Sequence, residues 1–469
     1  MFSRNKADIK IHFIGIGGIG MSGIAQILKQ LGYQVSGSDI KEGTTTRKLA
    51  ELGVDIYIEH KAENIKNPTV IVYSSAINEE NPEIIAAKAR KIPLIRRAEM
   101  LAELMRLKFG LAVAGTHGKT TTTSFLGTIL YESNFDPTLI IGGVVENLGG
   151  NARVGQGDLL VAEADESDGS FLLLRPIMCA ITNIDDDHMD FHKGQENLIN
   201  SFAEFANSIP FYGVCALNVQ DFYFEELRKK MKRPWVSYGI KEKSCPEGLE
   251  LLYSASNIEY TPAGTVFNLN YEGNFVISIE IKPKGEHNVY NSLAAISLAH
   301  QVGLSFQQIK ESIIKFNGVG RRFEELYRKD NFSIVDDYAH HPTEILATLK
   351  AAKEIFKKKV VVVFEPHRYS RTQSCWESFL HCFNYADKVY LGPIYPASEK
   401  EILGVTTSRL VQDINRLHPG LAKYIESLDE MSFIVEQYQD QDVILLSMGA
   451  GSIGKKVRDV VVKLRANEQ

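Results

Sequence analysis

Cysteine is scarce in this chain. Its 469 residues include five, Cys179, Cys215, Cys245, Cys375 and Cys382. They are scattered and show no CxxC pair, which argues against a disulfide framework and against a zinc site built on paired thiols. A basic surplus is also missing. The 52 lysines and arginines stand against 58 acids, for a net charge of −6, so a broad nucleic-acid surface is not expected. Small anions remain open, because backbone N–H groups and a few local cations can hold a phosphate. No apolar run approaches the roughly 18–20 residues of a bilayer span. The opening MFSRNKADIKIHFIGIGG passes straight into a strand-like run, without a signal-peptide core. The expectation is a cytoplasmic protein with no membrane insertion. Solenoid repeats, low-complexity tracts and heptad runs are absent as well.

What is present is ordinary globular material, 44% hydrophobic and 23% charged. The length implies two to four domains, and three fit the pattern. Short apolar runs at 11–16, 34–37, 54–58 and 70–73 alternate with helical periodicity at 19–31, 83–90 and 98–107. That alternation predicts βαβ units and a parallel sheet. A second alternation starts at 111–114 and continues through strands at 158–162 and 177–182. Between 249 and 281 the pattern changes. The run VISIEI, from Val276, alternates with period two, as an antiparallel strand with one wet face does. Helical patterns at 289–300 and 306–315 follow. A third alternation places strands at 332–335, 360–364, 388–391 and 443–446, with a last helix over 453–464. The expected domains are 1–107, 108–318 and 319–469, all α/β.

Two glycine-rich turns stand out. Gly15-Ile16-Gly17-Gly18-Ile19-Gly20 lies between a strand and a helix, where glycines admit a tight turn and a close phosphate. Asp39 ends the next strand, where a ribose-binding acid belongs in a dinucleotide site. This fingerprint alone fits NAD, FAD or a sugar nucleotide, and an unliganded glycine turn is its bland alternative. Gly115-Thr116-His117-Gly118-Lys119-Thr120 also joins a strand to a helix. Its N–H groups suit phosphates, Lys119 suits the β- and γ-phosphates, and the Thr120 hydroxyl suits Mg²⁺. Val113 stands where the longer P-loop pattern has its first glycine. An ordinary turn has no need of a lysine followed by four threonines.

Acidic tracts follow two later strands. Glu163-Ala164-Asp165-Glu166-Ser167-Asp168 can supply a Mg²⁺ ligand beside a phosphate loop. Asn183-Ile184-Asp185-Asp186-Asp187-His188 can serve a cation too. Solvated loops are the bland alternative for both, and a lone histidine is usually structural. Polar clusters also mark the later part of the chain: residues 285–288 with Asn291, 320–324, 336–342 and 365–371. Strand ends of open α/β sheets border ligand crevices, and arginine forks suit carboxylates and phosphates. Taken one by one, each could be a surface ion pair or a helix cap. A hydride-transfer enzyme needs the first glycine turn but not the second. A simple ATPase needs the second but not the first. An enzyme that activates a nucleotide-linked substrate with ATP needs both.

The ordered set IHFIGIGGIGMSGIA, VSGSD, YSSAI, RRAEML, AGTHGKTTTT, EADESDGSF, TNIDDDHMD, GRRFE, DDYAHHP and PHRYSRT resembles the Mur ligase family of peptidoglycan synthesis. The resemblance covers nearly the whole chain and is strongest to the alanine-adding branch. It implies a Rossmann-like N-terminal domain for the UDP part of UDP-N-acetylmuramate. It implies a central P-loop ATPase-like domain with added antiparallel strands, which takes ATP and Mg²⁺. It also implies a Rossmann-like C-terminal domain that closes over the site. The implied activity joins L-alanine to the substrate carboxylate through an acyl phosphate, releasing ADP and phosphate, in a monomer or homodimer.

The resemblance also carries residue roles. Gly115, Thr116, His117, Gly118, Lys119, Thr120 and Thr121 would form the ATP loop. Thr120, Glu163 and His188 would hold the metal. Asn288 and Asn291 would lie near adenine and ribose, and Arg322 and Asp337 near the γ-phosphate and ribose. Lys119, Glu163, His188, Arg322, Arg368 and Arg371 would act in catalysis. Arg368 and Arg371 are candidates for a carboxylate, with His341 as a neighbour. The UDP substrate would meet Gly17, Gly18, Ile19, Gly20, Met21, Ser22, Asp39, Ser74, Ser75, Ala76, Ile77 and Arg97. Several family members bridge a second metal with a carbamylated lysine. This chain has no lysine between Lys193 and Lys229, so a second metal would need another ligand. A recycling ligase that attaches a whole tripeptide is the runner-up, and an NAD(P)-dependent oxidoreductase is the alternative from another class.

Overall fold

The computed structural model describes residues 5–466 apart from Ser75, Glu146, Asn147, Gly149, Pro262 and Ser398. The chain groups into two compact units. One holds Met1–Asn257, Phe267–Glu280 and Tyr290–Asn317, and the other holds Ile258–Val266, Ile281–Val289 and Gly318–Gln469. Among the described residues, no helix is long and apolar enough to cross a membrane.

The first sheet has five strands, in the order Asp55–Ile58, Gln34–Asp39, Lys10–Ile14, Val70–Tyr73, Leu94–Arg96. All of its pairings are parallel. The central strand KIHFI is buried from its second residue on, as a strand covered by helices on both faces must be. The helix Ile19–Gln30 follows the first glycine turn.

The second sheet has ten strands. Its parallel middle runs Trp235–Ile240, Val214–Asn218, Met178–Ile181, Phe109–Ala114, Leu159–Glu163, Thr138–Val145. Because these strands are parallel, the loops that follow residues 114, 163 and 181 leave the same edge, which is where α/β sheets bind ligands. At one side Gly150–Arg153 runs antiparallel to Thr138–Val145. At the other, Tyr253–Tyr260, Thr265–Tyr271 and Asn274–Ile281 extend the sheet. The last two are joined by Glu272-Gly273, with φ values of 51° and 77°. Two successive positive φ angles match the twist of a tight hairpin. The expected alternation of 276–281 holds only in its second half. Ile279 and Ile281 are buried around exposed Glu280, whereas Val276 is exposed. This strand is the sheet's edge, so it has a neighbour on one side only.

The third sheet, in the second unit, has the order Glu324–Lys329, Phe332–Asp337, Val443–Met448, Lys359–Phe364, Lys388–Leu391, Ala422–Tyr424. Its inner strands FSIVDD, VILLSM and KVVVVF are near-continuously buried. Only the first strand is antiparallel, and it carries an irregularity between Glu325 and Tyr327.

The helix Lys119–Glu132 is buried through most of its length. Phe125 on it packs against Phe316, ring centroids 4.4 Å apart. Truncating a fully buried aromatic side chain removes its transfer energy and leaves a cavity. Phe125→Ala is expected to destabilise the first unit by about 3–5 kcal/mol, read as a lower urea midpoint. An unchanged midpoint would contradict this packing.

Candidate functional site

Glycine geometry and hydrogen bonds from a neighbouring strand end shape the loop 115–118. Gly115 has φ 134° and Gly118 has φ 79°, conformations that side chains resist. A Cβ on Gly115 would lie 2.0 Å from the Thr182 hydroxyl, and one on Gly118 would lie 2.3 Å from Asn291 Oδ1. The strand end at 182–185 grips the loop. The Thr182 hydroxyl donates to the His117 carbonyl at 2.6 Å, and the Asn183 amide group donates to the same oxygen at 3.0 Å. Asn183 Oδ1 accepts from His117 N at 2.8 Å. The Asp185 N–H donates to the Thr116 hydroxyl at 2.9 Å, and the Asp185 carboxylate lies 3.0 Å from His117 Nε2.

Lys119 opens the helix, and its ammonium is surrounded by oxygen. It donates to the Gly115 carbonyl at 2.6 Å, the Thr116 carbonyl at 3.1 Å and the Glu166 carboxylate at 2.7 and 3.0 Å. Burial disfavours its charge, but Glu166 and Asp165 outweigh that and raise its pKa. Burial pushes Glu166 up to about 7 against the pull of Lys119. Both directions favour keeping a proton on the pair, and the ammonium is the group that carries it. The Thr120 hydroxyl faces both oxygens of Glu163 at 3.1 and 3.0 Å, and Gly142 N–H donates to Glu163 at 2.9 Å. A hydroxyl and a carboxylate side by side at a phosphate loop form the hard oxygen set that Mg²⁺ prefers, so these residues fit the ion. His188 begins the helix Met189–His192 with φ 56°, its ring 3.6 Å from the Asp187 carboxylate. Thr121 is buried in the first turn after the loop.

The first glycine turn is fastened to the neighbouring strand. Gly15 and Ile16 N–H groups donate to the Ser38 carbonyl, and Gly17 N–H donates to the Asp39 carboxylate at 2.8 Å. Asp39 also accepts from Ile40 N–H at 2.8 Å. The acid read from the sequence as a ligand contact thus shapes the turn itself. Gly18 precedes the helix that Ile19 and Gly20 open, and Met21 and Ser22 are buried in it. Gly20 lies beside the Arg97 side chain, which also reaches Asp165 at 3.8 Å. This pair brings the first turn and the first acidic tract together. Ser74 N–H donates to the Ile14 carbonyl, Ile77 N–H to the Ser74 carbonyl, and Ala76 N–H to the Ser74 hydroxyl at 3.4 Å. Ser75 lies outside the described residues.

In the second unit, the segment 321–323 is hooked onto the end of the strand Phe332–Asp337. Phe323 N–H and Ala339 N–H both donate to the Asp337 carboxylate at 2.7 Å. Arg322 lies 3.5 Å from Glu344 and over the Tyr338 ring at 5.2 Å. Burial pushes Asp337 up to about 6, opposed by Arg322 and the two N–H groups. Asn288 donates to the Lys284 carbonyl at 2.7 Å. His341 precedes the helix Pro342–Phe356, with Nε2 3.6 Å from Cys375 Sγ. Arg368 Nε donates to Glu399 at 2.5 Å, and buried Arg371 lies 3.5 Å from His367 Nδ1. Burial lowers His340 to about 3 and His367 to about 4, so both rings are neutral near pH 7. Glu365 has the structural role: it accepts from Ser452 and Ile453 at the start of the helix Ile453–Ala466. Sequence reasoning assigned no role to Glu166, Glu344 or Glu399. For Glu166 the signal was a third acid in the tract at the strand end, while Glu399 sits in a loop with no motif around it.

An α/β chain with a lysine-bearing phosphate loop and a second glycine turn is a nucleotide-handling enzyme by its fold and groups. Three family models match it in series. These are the Mur ligase family catalytic domain over residues 10–109, the Mur ligase middle domain over 113–299 and the Mur ligase glutamate ligase domain over 321–451. The chain belongs to the Mur ligase family. A UDP-N-acetylmuramate–L-alanine ligase of Geobacter sp. (strain M21) is 46% identical over 98% of both chains. One from Sorangium cellulosum is 44% identical over 97% of this chain and 96% of its own. The crystal structure of UDP-N-acetylmuramate-alanine ligase MurC from Thermotoga maritima superposes with a TM-score of 0.82. It is 29% identical and covers 98% of this chain and 100% of its own.

The raised pKa of Asp337 has a definite sign. Its proton is held more tightly in the folded chain than at the ordinary 3.8. The carboxyl's stabilising contribution is therefore complete below about 3.8 and is lost as pH rises through about 6. Carbon-13 NMR of this carboxyl should give a midpoint near 6, and a midpoint at its ordinary value would refute the burial argument.

Proposed function

We propose that this chain joins L-alanine to the carboxylate of UDP-N-acetylmuramate, with ATP consumed to ADP and phosphate, in the cytoplasm. The observation that carries this reading is the pairing of two sites in one unit: a rigid loop with Lys119 at its helix start, and a separate glycine turn fastened by Asp39. The relatives that match over their full length are UDP-N-acetylmuramate–L-alanine ligases, which supports it.

A carboxylate cannot be attacked by an amine directly, because oxide is a very poor leaving group. In the first step the substrate carboxylate oxygen attacks the γ-phosphorus, the bond to ADP breaks, and an acyl phosphate forms. In the second the neutral amine of L-alanine attacks the acyl carbon, phosphate leaves with the electron pair, the nitrogen gives up one proton to solvent, and the amide remains. Both steps gather negative charge, so fixed cations and positioning dominate the catalysis. Lys119 and the N–H groups at the helix start meet the phosphates. Mg²⁺ held by Thr120 and Glu163, with His188 as a further ligand, would supply positive charge there. Gly115, Thr116, His117, Gly118 and Thr121 line the ATP loop. Asn288, Asn291, Arg322 and Asp337 are further ATP contacts, and Arg368 and Arg371 take carboxylates. The first turn (Gly17, Gly18, Ile19, Gly20, Met21, Ser22), Asp39, Ser74, Ser75, Ala76, Ile77 and Arg97 serve the UDP substrate. The working domain limits are 1–107, 108–318 and 319–469, in a monomer or homodimer.

Phosphate release with UDP-N-acetylmuramate and ATP should be faster with L-alanine than with the tripeptide of the recycling reaction. The reverse order would replace this reading. Lys119→Ala should cut turnover by about 100-fold or more, the scale for losing one preorganised charge donor. UDP-substrate affinity should stay within about threefold by calorimetry, a difference of less than about 1 kcal/mol.

A further inference from the structure

Arg368 has a backbone that side chains resist, with φ 71° and ψ 133°. Strain of this kind persists only where the surroundings over-determine it, and it gathers at functional positions. The surroundings here are specific. Arg368 N–H donates to the Tyr395 carbonyl at 2.8 Å, and Tyr395 N–H donates to the Pro366 carbonyl at 2.8 Å. The His367 ring is stacked on Tyr395, with centroids 5.4 Å apart and planes within 7°. Four residues beyond Tyr395, Glu399 closes the arrangement. Its Oε1 accepts from Arg368 Nε at 2.5 Å and from the Ser370 hydroxyl at 2.7 Å, and its Oε2 accepts from Ser370 N–H at 3.0 Å.

Three donors thus converge on two oxygens, a setting that favours the acceptor-only, ionised carboxylate. Burial works against ionisation of Glu399, but the hydrogen bonds from Ser370 and Arg368 outweigh it and hold the carboxyl below its ordinary range. Fixing Nε sets the plane of the guanidinium. The plane sets the direction of the terminal nitrogens, which pair side-on with a carboxylate.

We propose that Glu399 is a positioning residue for amino-acid recognition, aiming Arg368 at the carboxylate of the incoming amino acid. The proposal rests on the reading of Arg368 as a carboxylate ligand given above. The ligand class is an α-amino acid with an unblocked carboxylate, whose amine reacts while its carboxylate is held. Tyr395 supports the backbone turn, and Glu399 sets the side chain.

The test uses the full-length chain with Glu399→Gln, Glu399→Asp, Arg368→Lys and the Gln/Lys double variant. Gln keeps the size of Glu but turns an N–H₂ group toward one of the donors. Glu399→Gln is expected to raise the KM for L-alanine by about 10-fold or more, a misplacement effect that can reach about 100-fold. The KM values for ATP and for the UDP substrate, and the thermal midpoint, should stay unchanged, with kcat affected far less. Glu399→Asp keeps an acceptor-only group and should recover part of the loss. Arg368→Lys should raise the same KM, and the double variant should be less than additive, because the two residues act as a unit. An unchanged alanine KM in Glu399→Gln, with a raised one in Arg368→Lys, overturns the positioning role and leaves the Arg368 reading standing. An unchanged alanine KM in Arg368→Lys overturns both. A uniform loss in every constant with a lowered thermal midpoint shows a merely structural Glu399 and also overturns the proposal.

Discussion

The burial of one ammonium group governs the rest of the first unit. Lys119 is largely withdrawn from water, and a charge in that position is tolerated only with full compensation. The Gly115 and Thr116 carbonyls and the Glu166 carboxylate provide it. Two of these partners require the loop to curl back over its own helix, which demands the positive φ of Gly115 and Gly118. The third requires the acidic tract to leave the neighbouring strand at the same sheet edge, which parallel pairing of Phe109–Ala114 with Leu159–Glu163 ensures. Removing Glu166 alone would leave a buried cation with less compensation, a change that typically costs about 3–5 kcal/mol. The lysine thus ties loop conformation, strand direction and acid placement to one another.

The second unit uses a different device. Arg321, Phe323 and Arg368 all hold positive φ without being glycine. Each lies in a segment fastened at a sheet edge, through the Gly449 carbonyl, Asp337 and Glu399 respectively. A backbone that side chains resist persists only where such contacts over-determine it. The neutral rings of His340 and His367 add polar surface there without adding charge.

Much of this was legible in the sequence, and the reasons are local. The inner strands KIHFI, VILLSM and KVVVVF are apolar enough to announce themselves, and each glycine turn sits between a strand and a helix. Other strands were not legible. EELYRK has its two acids at one end and its two bases at the other, with an irregular register, and TLIIGGVV with GNAR is interrupted by glycines. No clean alternation marks these segments, although Leu139, Ile140, Ile141 and Val145 are buried. Among the candidate site groups, Lys119, Thr120 and Glu163 come together as their motifs implied. Asp39 fastens the first glycine turn, and Glu365 caps a helix. Glu166 and Glu399 take their meaning only from what the fold places opposite them, which no spacing along the chain encodes.

The missing side chain of Gly118 has a consequence beyond the loop. The volume that a methyl group would need is held by the amide of Asn291, from a helix far along the chain. Bulk at one position is therefore forbidden by the identity of the other. Relieving that clash would still leave Gly118 at φ 79°, a conformation that a side chain resists whatever the space. Glycine is thus required at this position twice, once by the neighbour's bulk and once by the backbone.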